Sequence, residues 1–390
     1  MTNSSARARY AVGVIFFLNG AVLASWIPHI PEIKAMHGLS DGRLGCVLLA
    51  MSAGAILAMP VAGTLIGRLG SRTMTTAAAL TFALVLPLPI VSPNVPLLAL
   101  ALFTLGAANG TLDVSMNAQA IAVERDYGRP IMSSFHALFS FGGLVGAAVA
   151  GTVMAGGVGS VAHALLTSAI ACAAFAGVVG RLLTVPPEPA RGAPTFAWPS
   201  STLLGLGSLA FLGLLAEGAM ADWSAVYLRD SLGTTASVAA TGFAAFSLAM
   251  ALGRFTGDAL VERLGAAFVL RASSALAALG LGSALAIGTP PIAVLGFGAV
   301  GFGIANIIPV LFRAAGDVPG VAPGAALAAV ATTGYFGFLA GPALIGFTAE
   351  FTSLPIALAL VSVACAVIAL RGSIVGGTAV ARPVAVRAVG

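Results

Sequence analysis

The chain has 390 residues, of which 59% are hydrophobic and only 8% are charged, whereas a soluble globular domain has roughly 25% charged residues. This composition excludes a soluble protein and predicts an integral membrane protein. The net charge of +5 comes from basic residues that are spread along the chain. It argues against a nucleic-acid partner, because nucleic-acid-binding segments concentrate Lys and Arg in runs.

Twelve apolar stretches follow one another, each long enough to cross a bilayer as a helix, which takes roughly 20 apolar residues. The continuous runs exclude a membrane β-barrel, whose strands are short and alternate apolar with polar residues. The predicted fold class is therefore all-α, with twelve transmembrane helices. Helices 1 to 12 are predicted near residues 10–28, 44–66, 73–92, 96–121, 131–154, 161–183, 203–228, 236–260, 267–288, 291–314, 324–348 and 354–371.

Basic residues between these helices indicate the orientation of the chain. The odd-numbered loops hold Lys34, Arg43 and Arg229. The two ends and the even-numbered loops hold Arg7, Arg9, Arg68, Arg72, Arg125, Arg129, Arg181, Arg191, Arg263, Arg271, Arg313, Arg371, Arg382 and Arg387. Because cytoplasmic loops are enriched in Lys and Arg, we expect both termini on the cytoplasmic side of the inner membrane.

The second half of the sequence repeats the first at an offset of 195 to 198 residues. Asn19-Gly20-Ala21 matches Glu217-Gly218-Ala219, LIGRLG (65–70) matches LVERLG (260–265), GAAN (106–109) matches GIAN (303–306), and FGGLVGAAVAG (141–151) matches FGFLAGPALIG (336–346). The repeat predicts two six-helix bundles, residues 1–184 and 201–390. The Pro-rich segment 185–200 is predicted as a cytoplasmic linker between them, because a Pro-dense polar stretch does not continue a helix.

Residues 6–25 also have the pattern of a secretory signal, with a basic start, an apolar run and small residues at the end. Cleavage of such a signal would remove predicted helix 1. Because helix 1 has a matching copy in helix 7, we predict that it is retained as a structural helix.

Several motifs resemble a known family. GTLIGRLGSR (63–72) and its second copy GDALVERLG (257–265) are similar to the loop motif of the major facilitator superfamily. Within that superfamily, four further segments resemble the fucose-permease and rhizopine-transporter branch. They are SWIPHIPEIK (25–34), NGTLDVSMNAQ (109–119), SSFHALFSFGG (133–143) and EGAMADWSAVYL (217–228). The resemblance covers essentially the whole chain. It implies a transporter of two six-helix bundles with a substrate site near the membrane midplane.

Asp113 is the first candidate for chemistry. It lies in predicted helix 4, with Asn109 and Asn117 one turn away on the same face. An ionisable group inside a membrane costs about 2.5 to 3.5 kcal/mol on insertion scales, so it normally faces the protein interior or a water-filled cavity. We predict that Asp113 exchanges protons and that the two asparagines bind substrate. The alternative is a structural Asp hydrogen-bonded to a neighbouring helix.

Glu217 and His136 are the other candidates for proton coupling. Glu217 in predicted helix 7 aligns with Asn19 in the repeat, so one half has a carboxyl group where the other has an amide. His136 in predicted helix 5 is expected near Asp113, because helices 4 and 5 are consecutive, and His titrates near neutral pH. The alternatives are a structural role for Glu217 and a hydrogen bond from His136 to a backbone carbonyl.

Aromatic and amide side chains predict a site for a sugar or polyol, since rings stack on C–H faces and amides bind hydroxyl groups. The predicted substrate-binding residues are Asn19, Trp26, Asn109, Asn117, Trp223, Asn306 and Tyr335. Trp and Tyr are also enriched at membrane interfaces, which is the alternative for the two tryptophans.

The loop motifs predict a gate. In the superfamily that they resemble, an acid in the loop between helices 2 and 3 pairs with basic residues and holds one conformation closed. Here Gly67 stands at the position of that acid, so we expect the gate to depend mainly on the second copy. The predicted gating residues are Arg68, Arg72, Arg254, Asp258, Glu262 and Arg263. The alternative, most plainly for Arg68 and Arg72, is that these charges only set topology.

Glycines are dense in predicted helices 5 and 11, where small residues let helices approach closely and slide. They are Gly142, Gly143, Gly146 and Gly151 in helix 5, and Gly337, Gly341 and Gly346 in helix 11.

The leading function is that of a secondary transporter, which moves a small polar solute by alternating access with proton symport. We expect a monomer in the lipid bilayer without a cofactor. The alternatives are proton-driven efflux of an amphipathic compound and a membrane sensor, the latter disfavoured by short tails. An intramembrane enzyme is not expected, because HExxH, GxSxG and paired-Asp metal motifs are absent. Cys46, Cys172 and Cys365 are too widely spaced for a CxxC metal site or a disulfide framework.

Overall fold

The computed structural model describes residues 3–127, 131–184, 201–319, 321 and 323–377 of the chain. Within these ranges every regular element is a helix. Twelve of the helices are long and apolar enough to span a membrane, which confirms the predicted all-α membrane fold. The predicted linker 185–200 lies outside the described residues, as do Arg129, Arg191, Arg382 and Arg387.

The twelve membrane helices lie close to their predicted positions, and several continue into short additional elements. Helices 1 to 6 are Asn3–Trp26 with a 3-10 turn at Ile27–His29 and a short helix at Ile30–Met36, then Asp41–Leu69, Ser71–Val85 with Leu88–Val91, Val95–Tyr127, Met132–Ala155 and Ser160–Val179. Helices 7 to 12 are Ser201–Val226 with a π-helical turn at Tyr227–Ser231, then Ala236–Leu264, Ala266–Ile287, Pro290–Ile304 with Ile307–Gly316, Pro323–Phe351, and Leu354–Arg371 with Ile374–Gly377.

Helices 1 to 6 and helices 7 to 12 pack among themselves in the same order. Helix 1 packs along helix 5, as helix 7 packs along helix 11. Helix 2 packs on helix 4 and helix 3 on helix 6, as helix 8 packs on helix 10 and helix 9 on helix 12. The sequence repeat is therefore a repeat of structure, and we call the two bundles the N-terminal half and the C-terminal half.

The matching motifs LIGRLG and LVERLG end helices 2 and 8 in the same way. Gly70 and Gly265 follow these helices with φ angles of 80° and 83°, which residues with a Cβ atom rarely adopt. The next helix begins at once in both places. Glycine is therefore required for the same tight reversal in both halves.

An arginine just beyond each reversal caps another helix. In the N-terminal half, Arg72 Nη2 donates to the carbonyl oxygen of Gly180 at 3.1 Å. In the C-terminal half, Arg271 Nε donates to the carbonyl oxygen of Ala369 at 3.1 Å. The last carbonyls of a helix lack partners within the helix, so the two arginines satisfy the ends of helices 6 and 12.

Both described ends of the chain lie on one side of the molecule, because twelve crossings return the chain to the side where it began. Arg9 near the start of helix 1 donates through Nη1 to the Tyr127 hydroxyl at the end of helix 4, at 2.8 Å. We call this side the terminal side and the opposite side the distal side.

The two halves contact each other mainly through two helix pairs, 2 with 11 and 5 with 8. Near the distal side, helices 2 and 11 meet backbone to backbone. A Cβ atom on Gly45 would lie 2.5 Å from the carbonyl oxygen of Pro342, and one on Gly346 would lie 2.6 Å from that of Asp41. A Cβ atom on Gly151 in helix 5 would lie 2.9 Å from a side chain of helix 8. Glycines of helices 5 and 11 therefore allow close approach, as predicted.

Candidate functional site

Asp113 lies midway along helix 4 and faces the C-terminal half. The Tyr335 hydroxyl on helix 11 donates to Oδ2 of Asp113 at 3.5 Å, and Asn117 Nδ2 donates to Oδ1 at 3.1 Å. The structure therefore places the carboxyl group inside the protein, where it joins helix 4 to the opposite half.

Arg254 connects Glu217 to the N-terminal half. Its Nη1 donates to Ser140 Oγ on helix 5 at 2.7 Å, and its Nη2 lies 3.5 Å from Oε1 of Glu217 on helix 7. The side chains of Arg254 and Glu217 are only 15% and 20% exposed. The sequence analysis counted Arg254 among the gating residues, and the structure places it in the central part of helix 8. Helix 8 continues to Leu264, so Arg254 lies about 15 Å before its end at 1.5 Å per residue.

His136 does not reach Asp113. Its ring packs edge-on against Phe16, with 5.3 Å between the ring centroids. Among the described residues, no hydrogen bond joins His136 to Asp113. The Asp113–His136 contact expected from consecutive helices is therefore not formed, and the His136 ring faces helix 1 instead.

Two of the predicted asparagines keep an amide oxygen unused. The Oδ1 atoms of Asn19 and Asn109 are buried and have no hydrogen-bond partner among the described residues. Asn19 donates through Nδ2 to Met116 Sδ at 3.6 Å. Leaving a buried acceptor unpaired costs about 1 to 3 kcal/mol. These two oxygens are therefore available to a hydroxyl or amine donor that enters between the helices.

Trp26, Trp223 and Asn306 are enclosed by the protein. Trp26 is 2% exposed and Trp223 is 0% exposed, so neither forms an exposed ring at a membrane interface. Asn306 lies at the break in helix 10 and donates through Nδ2 to the carbonyl oxygen of Gly253 at 3.0 Å. Its Oδ1 occupies the space beside Gly257 in helix 8. Asn306 therefore joins helices 8 and 10 within one half and does not face the other half.

A small cavity of about 100 Å³ lies between the halves. Aromatic rings form much of its wall, and three polar side chains also line it. The rings are those of Phe139, Phe243, Phe246 and Phe338, and the polar residues are Ser140, Glu217 and Ser247. A water molecule takes about 30 Å³ in the liquid, so the cavity has room for roughly three. A sugar-sized solute would require the halves to move apart.

The loop residues predicted to form a gate stay within their own halves. Arg68, Asp258, Glu262 and Arg263 are exposed near the terminal side, and Arg72 donates to Thr184 and Gly180 of the N-terminal half. Within the described residues, no ion pair joins any of them to the opposite half. In this conformation the terminal side is therefore not closed by these charges.

The distal side is closed by polar contacts that the sequence analysis did not identify. Lys34 Nζ lies 2.6 Å from Asp230 Oδ2 of the C-terminal half and 2.8 Å from Asp41 Oδ1 of its own half. Glu350 on helix 11 accepts a hydrogen bond from the Gly42 backbone N–H at 2.9 Å, where helix 2 begins. Lys34 and Asp230 are 196 residues apart, which lies within the range of 195 to 198 residues of the repeat offset. This agreement is a sequence signal that places the two residues at closely corresponding positions of the two halves.

Relatives of similar length align with almost all of the chain. An uncharacterized MFS-type transporter of Yersinia pestis is 40% identical over 347 residues, covering 89% of this chain and 90% of the relative. An uncharacterized transporter of Sinorhizobium fredii and the membrane protein MosC of Rhizobium meliloti are each 35% identical over 361 residues, covering 91% of this chain and 94% and 88% of the two relatives.

Solved transporters have the same fold. A variant of the nucleoside transporter NupG matches with a TM-score of 0.72 at 15% identity, covering 94% of this chain and 99% of the other. A bacterial homolog of the human lysosomal transporter Spinster, in an inward-facing and unoccupied conformation, also matches with a TM-score of 0.72, at 14% identity and 97% and 98% coverage. The family model of the Major Facilitator Superfamily matches residues 11–214. The chain therefore belongs to the major facilitator superfamily and is a membrane transporter.

Proposed function

We propose that this transporter moves a small polar solute, such as a sugar or polyol, by alternating access coupled to proton symport. The observation that carries the proposal is the position of the two acids. Asp113 and Glu217 each belong to a chain of contacts that crosses from one half to the other, through Tyr335 and through Arg254 with Ser140. A change in the charge of either acid would therefore act directly on the interface between the halves.

The coupling step follows from this arrangement. A charged Asp113 is a stronger acceptor for the Tyr335 hydroxyl than a neutral one, and a charged Glu217 attracts Arg254. Protonation weakens both links. At Asp113, whose hydrogen-bond partners Tyr335 and Asn117 are neutral, it also removes a negative charge from the centre of the membrane, which lowers the cost of exposing that surface as the halves reorient. Solute and proton would then favour the same transition.

The substrate class is supported by the unused polar groups. Asn19 and Asn109 present acceptor oxygens without partners, and phenylalanine rings line the cavity beside Glu217. Hydroxyl groups of a polyol would satisfy the amide oxygens while its C–H faces pack against the rings. The assignment to the fucose-permease and rhizopine-transporter branch, whose motifs the chain resembles, stays a prediction.

The orientation completes the proposal. The terminal side has most of the arginines in the loops, and cytoplasmic loops are enriched in such residues. We therefore propose that the protein lies in the inner membrane with its terminal side in the cytoplasm. We also propose that it functions as a monomer. Because the distal contacts are closed, we assign this conformation to the stage of the cycle that opens toward the cytoplasm.

A second candidate is proton-driven efflux of an amphipathic compound. The observation that favours it is the aromatic wall of the cavity, which includes Phe243, Phe246 and Phe338. The two candidates differ in the direction of coupled movement. In vesicles of known orientation, symport predicts that a proton gradient drives solute accumulation along with the proton, whereas efflux predicts movement in the opposite direction.

The experiment begins with a thermal-shift screen of the purified protein against sugars, polyols and amphipathic amines, because a ligand that binds only the folded state raises its apparent stability. The compound that stabilises the protein is then used in proteoliposomes with Asp113→Asn and Glu217→Gln. For at least one variant we expect exchange of solute to persist while proton-driven accumulation falls at least tenfold.

Asp317→Asn is the matched control, since Asp317 is an exposed acid just beyond the end of helix 10. It should accumulate solute like the parent. Accumulation at parent level by both Asp113→Asn and Glu217→Gln would refute the coupling assignment.

A further inference from the structure

A second group of titratable side chains lies near the distal side, away from Asp113 and Glu217. His29 Nε2 lies 2.8 Å from His163 Nδ1, and His29 Nδ1 lies 3.3 Å from Oε2 of Glu32. The other carboxylate oxygen of Glu32 accepts a hydrogen bond from Ser160 Oγ at 2.9 Å. His29 is 0% exposed and His163 is 3% exposed. Two histidines 134 residues apart in sequence are thus held in direct contact inside the N-terminal half.

The number of protons in this group is limited by its geometry. A His–His contact of 2.8 Å needs one proton between the two nitrogens, because two lone pairs or two N–H groups at that distance repel. With one proton added to the neutral pair, an imidazolium at His29 donates to both Glu32 and His163, and every charged contact is favourable. Neutral His163 then accepts at Nδ1 and has its own proton on Nε2, an atom that is buried without a partner among the described residues. A second proton would have to bind Nδ1, which would break the hydrogen bond between the histidines and place two positive rings side by side.

The same segment joins the two halves. The turn Ile27–His29 packs against helices 5, 7 and 8, and the short helix Ile30–Met36 that follows it packs against helix 7. That short helix also holds Lys34, whose Nζ contacts Asp230 of the C-terminal half. The position of the His29 ring and the distal contact are thus set by one short piece of chain, seven residues of helix after a three-residue turn.

We propose that His29, His163 and Glu32 form a second proton-binding site, and that a second proton bound there opens the distal contact between the halves. Repulsion between the two rings would displace the turn from helix 6. The short helix would move with it, and Lys34 would lose Asp230. The proposal requires the distal closure described above, and it does not require proton coupling through Asp113 or Glu217.

Few other charged groups lie near the His29–His163 pair. Glu32 and Lys34 lie on the short helix, and Asp222 lies on helix 7, which packs against it. Helices 5 and 8 contribute residues 137–155 and 236–253 toward the distal side, and these ranges contain no Asp, Glu, His, Lys or Arg. Helix 6 contributes His163 itself. Asp41 and Asp230 reach the segment through Lys34.

The test measures the distance between the halves on the distal side as the pH changes. Spin labels are attached at Gly159→Cys before helix 6 and Thr289→Cys before helix 10, with Cys46, Cys172 and Cys365 replaced by Ser or Ala. A Cβ atom at Gly159 would meet no atom within 4 Å, and Thr289 is exposed. Imidazoles normally titrate between about pH 5 and 8. Between pH 7.5 and pH 5 we expect the population with the longer distance to rise about threefold or more.

His163→Gln keeps a polar side chain with an N–H donor but cannot bind a proton in this range. In this variant we expect the distance distribution at pH 5 to match that at pH 7.5. His37→Gln is the matched control, because it removes another of the four histidines beyond the end of the same short helix. It should respond like the parent. Should His163→Gln not fold, as judged by gel filtration, His29→Gln is used with the same expectation.

The outcomes separate this proposal from the proposed transport mechanism. In a protein with both Asp113→Asn and Glu217→Gln, the pH response should remain, since neither acid belongs to the distal site. Loss of the response in that protein would assign it to the central acids and overturn the proposal. An equal response in His163→Gln and His37→Gln, or no response in the parent, would overturn it as well.

Discussion

The two halves meet in two layers, and the layers differ in the length of their contacts. In the distal layer, Lys34 and Asp230 approach to 2.6 Å, and helices 2 and 11 touch through glycines without side chains between them. In the central layer, Arg254 reaches Ser140 of the other half at 2.7 Å, but Asp113 and Tyr335 are 3.5 Å apart, and Arg254 lies 3.5 Å from Glu217 within its own half. Both acids of the central layer thus have long contacts, whereas the distal layer is closed by short ones.

This difference indicates where a ligand can bind between the halves. Buried polar groups normally have hydrogen-bond partners, and the central layer departs from that rule at the amide oxygens of Asn19 and Asn109. Its long ion pair also leaves guanidinium donors of Arg254 free for other acceptors. A ligand can therefore add contacts in the central layer, whereas at the Lys34–Asp230 pair it could only replace contacts that are already formed.

The largest effect is expected from separating the central ion pair. Arg254→Gln leaves Glu217 in the membrane interior without its cation. Breaking a buried ion pair costs about 3 to 5 kcal/mol, and we expect the lower end because the pair is partly exposed. The double variant with Glu217→Gln should recover most of the loss, since neither charge is then left alone. Thermal unfolding in detergent measures both.

The pH dependence of thermal unfolding provides a check on this comparison of the single and double variants. At lower pH the single Arg254→Gln variant should lose its defect, because a protonated Glu217 needs no cation. A double variant as unstable as Arg254→Gln alone would mean that Arg254 stabilises the protein through Ser140 or by packing, and not through Glu217.

A smaller effect is expected from crowding the distal layer. Gly346→Ala would place a methyl group 2.6 Å from the carbonyl oxygen of Asp41, so helices 2 and 11 would have to separate, at about 1 to 3 kcal/mol for overpacking. Gly63→Ala in helix 2 is the control, since a Cβ atom there meets nothing within 4 Å. We expect a lower melting temperature and a longer distal distance for Gly346→Ala only. Equal behaviour of the two variants would contradict the close contact.

The smallest effect is expected from the distal ion pair. Lys34→Gln, Asp230→Asn and the double variant form a cycle whose coupling energy should be about 0.2 to 1 kcal/mol, since the Asp230 side chain is 36% exposed and such pairs are screened. The coupling should shrink further in 1 M salt. A coupling well above this range would mean that charge, and not glycine packing, holds the distal layer together.

Much of the fold was accessible from sequence because the signals are local. The length of each apolar run is fixed by bilayer thickness, and the predicted spans correspond to the twelve observed helices. The repeated glycines, Gly70 and Gly265, mark the same reversal in both halves. The cost of a carboxyl group in a membrane likewise placed Asp113 inside the protein and not facing lipid.

Contacts between distant segments were not accessible in the same way. His136 was expected beside Asp113 from the order of the helices, yet helical rotation points it toward Phe16. Arg254 lies within the predicted span of helix 8 but was counted with the gating residues, because the sequence does not show that it meets Ser140 of the other half. The His29–His163 contact joins helix ends 134 residues apart, and no periodicity in the sequence relates them.

The Lys34–Asp230 contact also bears on the history of the chain. Its two residues lie at closely corresponding positions of the two repeats, 196 residues apart. Each half supplies a different charge at this point, Lys34 from one and Asp230 from the other, so the attraction depends on the two repeats having diverged in sequence here. The pair is in that sense a molecular record of the loss of symmetry between the repeats.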